Sequence, residues 1–277
     1  MYANTLAHNL MYSTIRLNVV SADSVGTGFY FGFRHGDHHE TAIITNNHVL
    51  PPKAGTYVLS LPIREASDPS QKFPSGKYCT LNALLSEQDV IRHPNSDIDL
   101  CCFSINKLRI SNLPVGFVPF YRHFSDEDIP ADDQIFDAIE SISMVGYPSG
   151  LYDETNNLPL VRRGITASPI NFDFNGEPKF IVDIATFPGS SGSPVVICDL
   201  NGYSDIGKNG SLTFRLGAQR LILVGIIFSA PTRTEIGKLN INIENSFTFQ
   251  NWMHLGVAIK SREIRVLERE FFKAKQF

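Results

Sequence analysis

The chain has 277 residues, of which 43% are hydrophobic and 19% charged, and its formal net charge is −4. That length and balance suit one large domain or two small ones around a sizeable core, and they exclude a disordered chain. The weak negative charge gives no global pull toward nucleic acid or anionic membrane, and the longest apolar run, 221–228, is far too short to span a bilayer.

In chain order, the segment 1–14 mixes Asn4, His8, Asn9 and Ser13 with apolar residues and lacks the basic-then-apolar order of a secretion signal. Short apolar stretches then recur at 29–33, 41–45, 57–61, 100–105, 141–145, 180–184, 195–198, 221–228 and 256–259, with Gly, Pro, Asn and Asp between them. Many short strands with turn signals predict an all-β barrel or sandwich. His35-Gly36-Asp37-His38-His39 lies between two of these strands and reads as a hairpin loop, whose histidines a tight turn would splay into solvent rather than onto a metal. Segment 112–137, rich in Pro and acidic residues, reads as a connector between two halves, with space for a short helix. At the C-terminal end Ile264, Leu267 and Phe271 recur at helical spacing among charged residues, which predicts an amphipathic helix over 261–277 that docks one apolar face.

Cys79, Cys101, Cys102 and Cys198 form no CxxC pair and no zinc spacing. Reduced thiols and a cytoplasmic location are expected, so the glycosylation match at Asn209-Gly210-Ser211 reads as accidental.

The most informative string is Phe187-Pro188-Gly189-Ser190-Ser191-Gly192-Ser193-Pro194. A serine hydroxyl is a weak nucleophile that needs an adjacent base, and acyl transfer needs backbone N–H groups aimed at the developing oxyanion. Of three serines here, Ser191 alone has Gly two before it and Gly directly after it. Gly189 and Ser191 would supply the oxyanion donors. The base candidate is His48, in Thr45-Asn46-Asn47-His48-Val49 at the end of an apolar strand. An orienting acid must hold its imidazole in the right tautomer. Asp97 and Asp99 both qualify by position. Asp99 begins a buried apolar run and is the better orienter, with Asp97 as the alternative.

Together with Gly26-Thr27-Gly28-Phe29, these strings resemble the trypsin-like serine peptidases, in the order His, Asp, Ser. The likeness extends from about residue 20 to 260. It is nearer to bacterial trypsin-like peptidase domains of the HtrA-protease type, including Val145-Gly146-Tyr147-Pro148 and Leu255-Gly256-Val257-Ala258-Ile259. The resemblance implies two six-stranded antiparallel β-barrels, chymotrypsin-like, at 1–125 with His48 and Asp99 and at 126–260 with Ser191, followed by the helix. It implies a serine endopeptidase acting through an acyl-enzyme. The expected partners are a polypeptide substrate and, as a further candidate, a regulatory protein. No metal, organic cofactor, nucleic acid or membrane is expected.

Ser190 stands where zymogen-activated members carry an acid, so activation by N-terminal processing is not expected. A PDZ domain is not expected after Lys260, and the quality-control role of HtrA proteins is not carried over. The family's primary pocket has its floor six residues before the nucleophile, at Ala185, with walls from Phe228, Ser229 and Ala230 and with Gly256 nearby. An uncharged floor argues against Arg or Lys before the scissile bond and predicts a small or medium apolar residue there. A catalytically silent peptide-binding module of the same fold, and an esterase, are the rival readings.

Overall fold

The computed structural model describes residues 5–111, 113–230, 232–238 and 246–275. Position Asn112 of the connector and the last two residues of the expected terminal helix lie outside the described residues. Among the described residues no helix is long and apolar enough to cross a membrane.

Thr56–Ala66 illustrates how the first half forms. Tyr57, Leu59 and Leu61 alternate with more exposed positions and, with Ile63, bury one face of a strand. Their neighbours on Thr14–Val19, Ser24–His35, His38–Thr45 and Pro74–Ser86 supply Ile15, Leu17, Tyr30, Ile43 and Leu81 to the same core. The sheet order is Ile91–Arg92, Cys101–Ser104, His38–Thr45, Ser24–His35, Thr14–Val19, Thr56–Ala66, Pro74–Ser86, Arg109–Ser111, with Pro119–Phe120 beside Thr56–Ala66. The sheet curls but stays open. Its ends are strands of two and three residues that do not pair with each other, so it differs from the closed six-stranded barrel of the expectation.

The second half does close. Ser141–Gly146, Leu160–Thr166, Lys179–Asp183, Leu255–Lys260, Arg220–Ser229 and Pro194–Asp199 form a six-stranded antiparallel barrel in that order. Met144, Phe180, Val182, Val195, Val224 and Ala258 fill it. All nine apolar stretches named from the sequence fall in or against strands of this mostly β architecture. Gly36-Asp37 makes the hairpin turn between Ser24–His35 and His38–Thr45.

A third apolar cluster joins the halves. Phe29, Phe31 and Phe33 of the open sheet meet Val196, Leu223, Ile226 and Ile259 of the barrel, and Ile264, Leu267 and Phe271 of the terminal helix pack into the same seam. The helix is Glu263–Ala274 and also buries Phe272. Its polar side is tied down as well, with Arg34 N–H donating to Glu268 at 2.7 Å and Arg265 Nε to Asp126 at 2.6 Å. The connector is irregular, apart from Pro119–Phe120 and a one-turn 3-10 helix, Asp126–Asp128, closed by a Ser125–Asp128 capping box.

Candidate active site

His48 follows the strand His38–Thr45 in a single tight turn, in which Val49 N–H donates to Asn46 O at 3.2 Å. Asp99 lies two residues before Cys101–Ser104, the strand paired with His38–Thr45, so sheet pairing brings the two residues together across the sequence. His48 Nδ1 lies 2.5 Å from Asp99 Oδ2, and the His48 backbone N–H donates to Asp99 Oδ1 at 3.2 Å. The carboxylate thus holds both the ring and the backbone of the same histidine. Asn46 Nδ2 fixes the other side of the acid through Asp99 O at 2.7 Å. Asp97 is exposed, and its backbone N–H turns back to Asn95 Oδ1, away from this contact.

Arg92, which no local string marks, braces the histidine turn. Its Nη1 donates to Asn47 Oδ1 at 2.9 Å and to Leu50 O at 3.0 Å, on either side of His48. Its Nη2 is anchored on Glu87 at 2.9 Å and Tyr57 Oη at 3.0 Å. A bidentate guanidinium suits such a brace because its donors are fixed in one plane.

The loop carrying Ser191 belongs to the barrel but is held by the open sheet, and Thr27 makes the join. Thr27 N–H donates to Ser191 O at 2.8 Å, and its hydroxyl donates to Gly189 O at 2.9 Å while accepting from Tyr147 N–H at 3.2 Å. Thr45 Oγ1 donates to Thr27 O at 2.8 Å, which links this join to the strand leading into His48. Gly189 and Gly192 both have φ of +84°, a conformation that L side chains rarely adopt. At Gly192 a Cβ would also collide with Thr27 O and Thr45 Oγ1, so the nucleophile loop can lie this close to the sheet only with glycine there.

Among the described residues, the backbone N–H groups of Gly189 and Ser191 have no protein acceptor, whereas those of Ser190, Gly192 and Ser193 donate to Phe187 O, Ile227 O and Ser193's neighbour Ser190 O. Two free amides, at Ser191 and two residues before it, suit an oxyanion. The Ser191 hydroxyl makes no hydrogen bond among the described residues, and His48 Nε2 has no partner. The half-exposed ring faces solvent, with 48% of its side chain accessible. Catalytic contacts often tighten only when substrate arrives.

The residues expected around the primary pocket lie on neighbouring segments. Phe228 and Ser229 end the strand Arg220–Ser229, Ala230 follows, and Ser229 pairs with Val257 next to Gly256. A Cβ on Gly256 would come within 2.7 Å of Thr186 Oγ1, beside Ala185. Sequence reasoning missed Arg162. This residue hydrogen-bonds Ala185 O through Nη1 and Ser190 Oγ through Nη2, the latter at 2.9 Å. Ser190, within the Ser191 loop, is fully buried.

A curled open sheet and a closed barrel, with a His–Asp pair on one and a glycine-framed serine loop on the other, define the architecture of the chymotrypsin-like peptidases. The chain belongs to the trypsin-like peptidase domain family, whose pattern matches residues 26–202 and so spans His48, Asp99 and Ser191 but not Thr14–Val19, the last barrel strands or the terminal helix. Among solved structures it is similar to Rv3671c from M. tuberculosis, crystallised as the inactive form of a serine-to-alanine mutant. The two are 15% identical with a TM-score of 0.44 over 97% of this chain and 90% of that one. No curated protein sequence matches the chain.

Proposed function

We propose that the chain is a serine endopeptidase in which His48, Asp99 and Ser191 form the catalytic triad. The observation that carries this reading is the doubly bonded His48–Asp99 pair on the sheet whose Thr27 holds the Ser191 loop. In the proposed reaction His48 Nε2 takes the Ser191 proton as Oγ attacks the scissile carbonyl, and the oxyanion enters the site of the Gly189 and Ser191 amides. Asp99 stabilises the imidazolium, which then protonates the leaving amine. Water hydrolyses the acyl-enzyme by the same steps in reverse. Each oxyanion donor contributes about 3 kcal/mol in such chemistry. The walls formed by Phe228, Ser229, Ala230 and Gly256 receive the side chain preceding the scissile bond, with Ala185 at the floor.

The reading includes a polypeptide substrate and a cytoplasmic location, which four free cysteines support. It also includes activation without N-terminal processing, because Ser190 is engaged with Arg162 rather than offering an acid to a new terminus. The second reading, a latent or silent peptide-binding module, draws on the absence of a Ser191–His48 hydrogen bond.

Labelling with a fluorophosphonate separates the two. Wild-type protein is expected to label, and Ser191→Ala and His48→Ala to lose labelling, with turnover falling on the order of 10⁴- to 10⁶-fold. A wild type that stays unlabelled would rule out the enzyme reading.

A further inference from the structure

The sequence pointed to Ala185 alone as the floor of the primary pocket, and hence to an apolar residue before the scissile bond. The structure adds a cation to that floor. Leu160–Thr166 is a barrel strand on which Val161, Arg163 and Ile165 face outward, while Leu160, Arg162 and Gly164 form the inward row. Arg162 therefore enters the barrel. Its guanidinium reaches Ala185 O and Ser190 Oγ, the two ends of the segment that leads to the nucleophile, and touches Met144 Sδ at 3.8 Å.

Its surroundings are unusual for a charged group. Among the described residues no carboxylate pairs with Arg162, and its Nε is buried without an acceptor. Desolvation alone pulls its pKa down, to about 10, with no acidic neighbour to offset it. At neutral pH it stays charged. A charge withdrawn from water without a counter-charge is costly, and an anion placed beside it would offset that cost. Arg162 as a whole residue is half-buried rather than sealed.

Resting on the peptidase reading above, we propose that Arg162 makes this chain selective for an acidic residue, glutamate or aspartate, immediately before the scissile bond. The substrate carboxylate completes the ion pair that the protein leaves open, while Ala185 has no side chain long enough to occupy that space. A basic side chain would meet the guanidinium and be repelled. An apolar one would leave the buried Nε without a partner.

The test uses the full chain and matched peptides that differ only at the residue before the scissile bond: Glu, Asp, Gln, Ala, Leu and Lys. Glu or Asp is expected to exceed Gln in kcat/KM by about tenfold or more, as a charge-assisted hydrogen bond allows. Arg162→Gln should collapse the Glu-to-Gln ratio toward one whatever its absolute rates, and Arg162→Lys should keep part of it. Because the wild-type profile is itself a test, a variant that fails to fold does not rescue the idea. A wild type that labels at Ser191 yet cleaves after Ala or Leu as fast as after Glu overturns this inference and leaves the peptidase reading standing. An Arg162→Gln variant that slows every peptide equally, with its ratio unchanged, assigns Arg162 to loop support and also overturns it. If the wild type does not label, the peptidase reading fails separately. The pocket is then probed by fluorescence polarisation with peptides ending in Glu or Gln on Ser191→Ala protein, where tighter binding of the Glu peptide supports the cationic floor and equal affinity overturns it.

Discussion

At the residue scale, Asp99 does two jobs through two oxygens, one on the ring of His48 and one on its backbone. Asp99→Asn keeps the shape but favours the wrong tautomer, so kcat is expected to fall about 10⁴-fold. Asp97→Asn, on the exposed turn, should change it less than about twofold by the usual neutrality of surface positions. Steady-state kinetics on the two variants settles which acid serves. The cysteines give a second test. Burial pushes the Cys101 thiol up to about 12 and Cys102 higher than the usual thiol range. The thiolate, which is the reactive form, is therefore nearly absent at pH 8 and grows only as pH rises toward 12. Iodoacetamide on folded protein at pH 8 should spare both residues, with any labelling confined to the half-buried Cys79 and Cys198, and mass spectrometry reads this directly.

His48, Asp99 and Ser191 were legible because each sits in a short string with its own local logic. Thr27, Arg92 and Arg162 were not. Their partners lie 162, 45 and 23 residues away, and only the folded sheet brings them together.

At the scale of elements, apolar alternation identified the strands that bury ordinary side chains. It failed on Leu160–Thr166, because the inward row there is Leu, Arg and Gly while valine and isoleucine face outward. A strand with inverted polarity looks like noise to a periodicity argument. It also failed on the N-terminal helix Leu6–Met11, one and a half turns long and too short to show a 3.6-residue period. The C-terminal helix was legible from Ile264, Leu267 and Phe271, although its seat across both halves was not. Phe271 is 1% exposed and meets Phe33 at a tilt of 60° and 5.1 Å between ring centres. Phe271→Ala should cost about 3–5 kcal/mol of stability, measured by urea unfolding, because it leaves a cavity in the seam. Lys273→Ala on the exposed side should stay within about 0.5 kcal/mol.

At the scale of the molecule, the expected pair of barrels became one closed barrel and one open curled sheet. Apolar patterning predicts strands but not whether the last strand finds the first. Closure depends on edge strands such as Ile91–Arg92 and Arg109–Ser111, which are too short to be read from the sequence. The two halves meet over the apolar seam, yet their polar join at the proposed site centres on one small residue, Thr27, whose backbone N–H and hydroxyl both reach across. Thr27→Val keeps the volume and removes the hydroxyl that links Gly189 O to Tyr147 N–H. It should cost about 1–3 kcal/mol in stability for the buried partners left unpaired. The larger effect is expected on kcat, since the Gly189 peptide is then free to turn.

The same join sets an order of failure. The apolar seam tolerates small sliding, because contacts between hydrocarbon surfaces have no preferred direction, whereas hydrogen bonds at 2.8 to 3.2 Å do. As denaturant rises, Thr27 should lose its grip on the serine loop before either half melts. Turnover is then expected to vanish at a lower urea concentration than circular dichroism reports, and to return at once on dilution from that intermediate range. Coincident midpoints for activity and circular dichroism would mean that the join is as strong as the cores it connects.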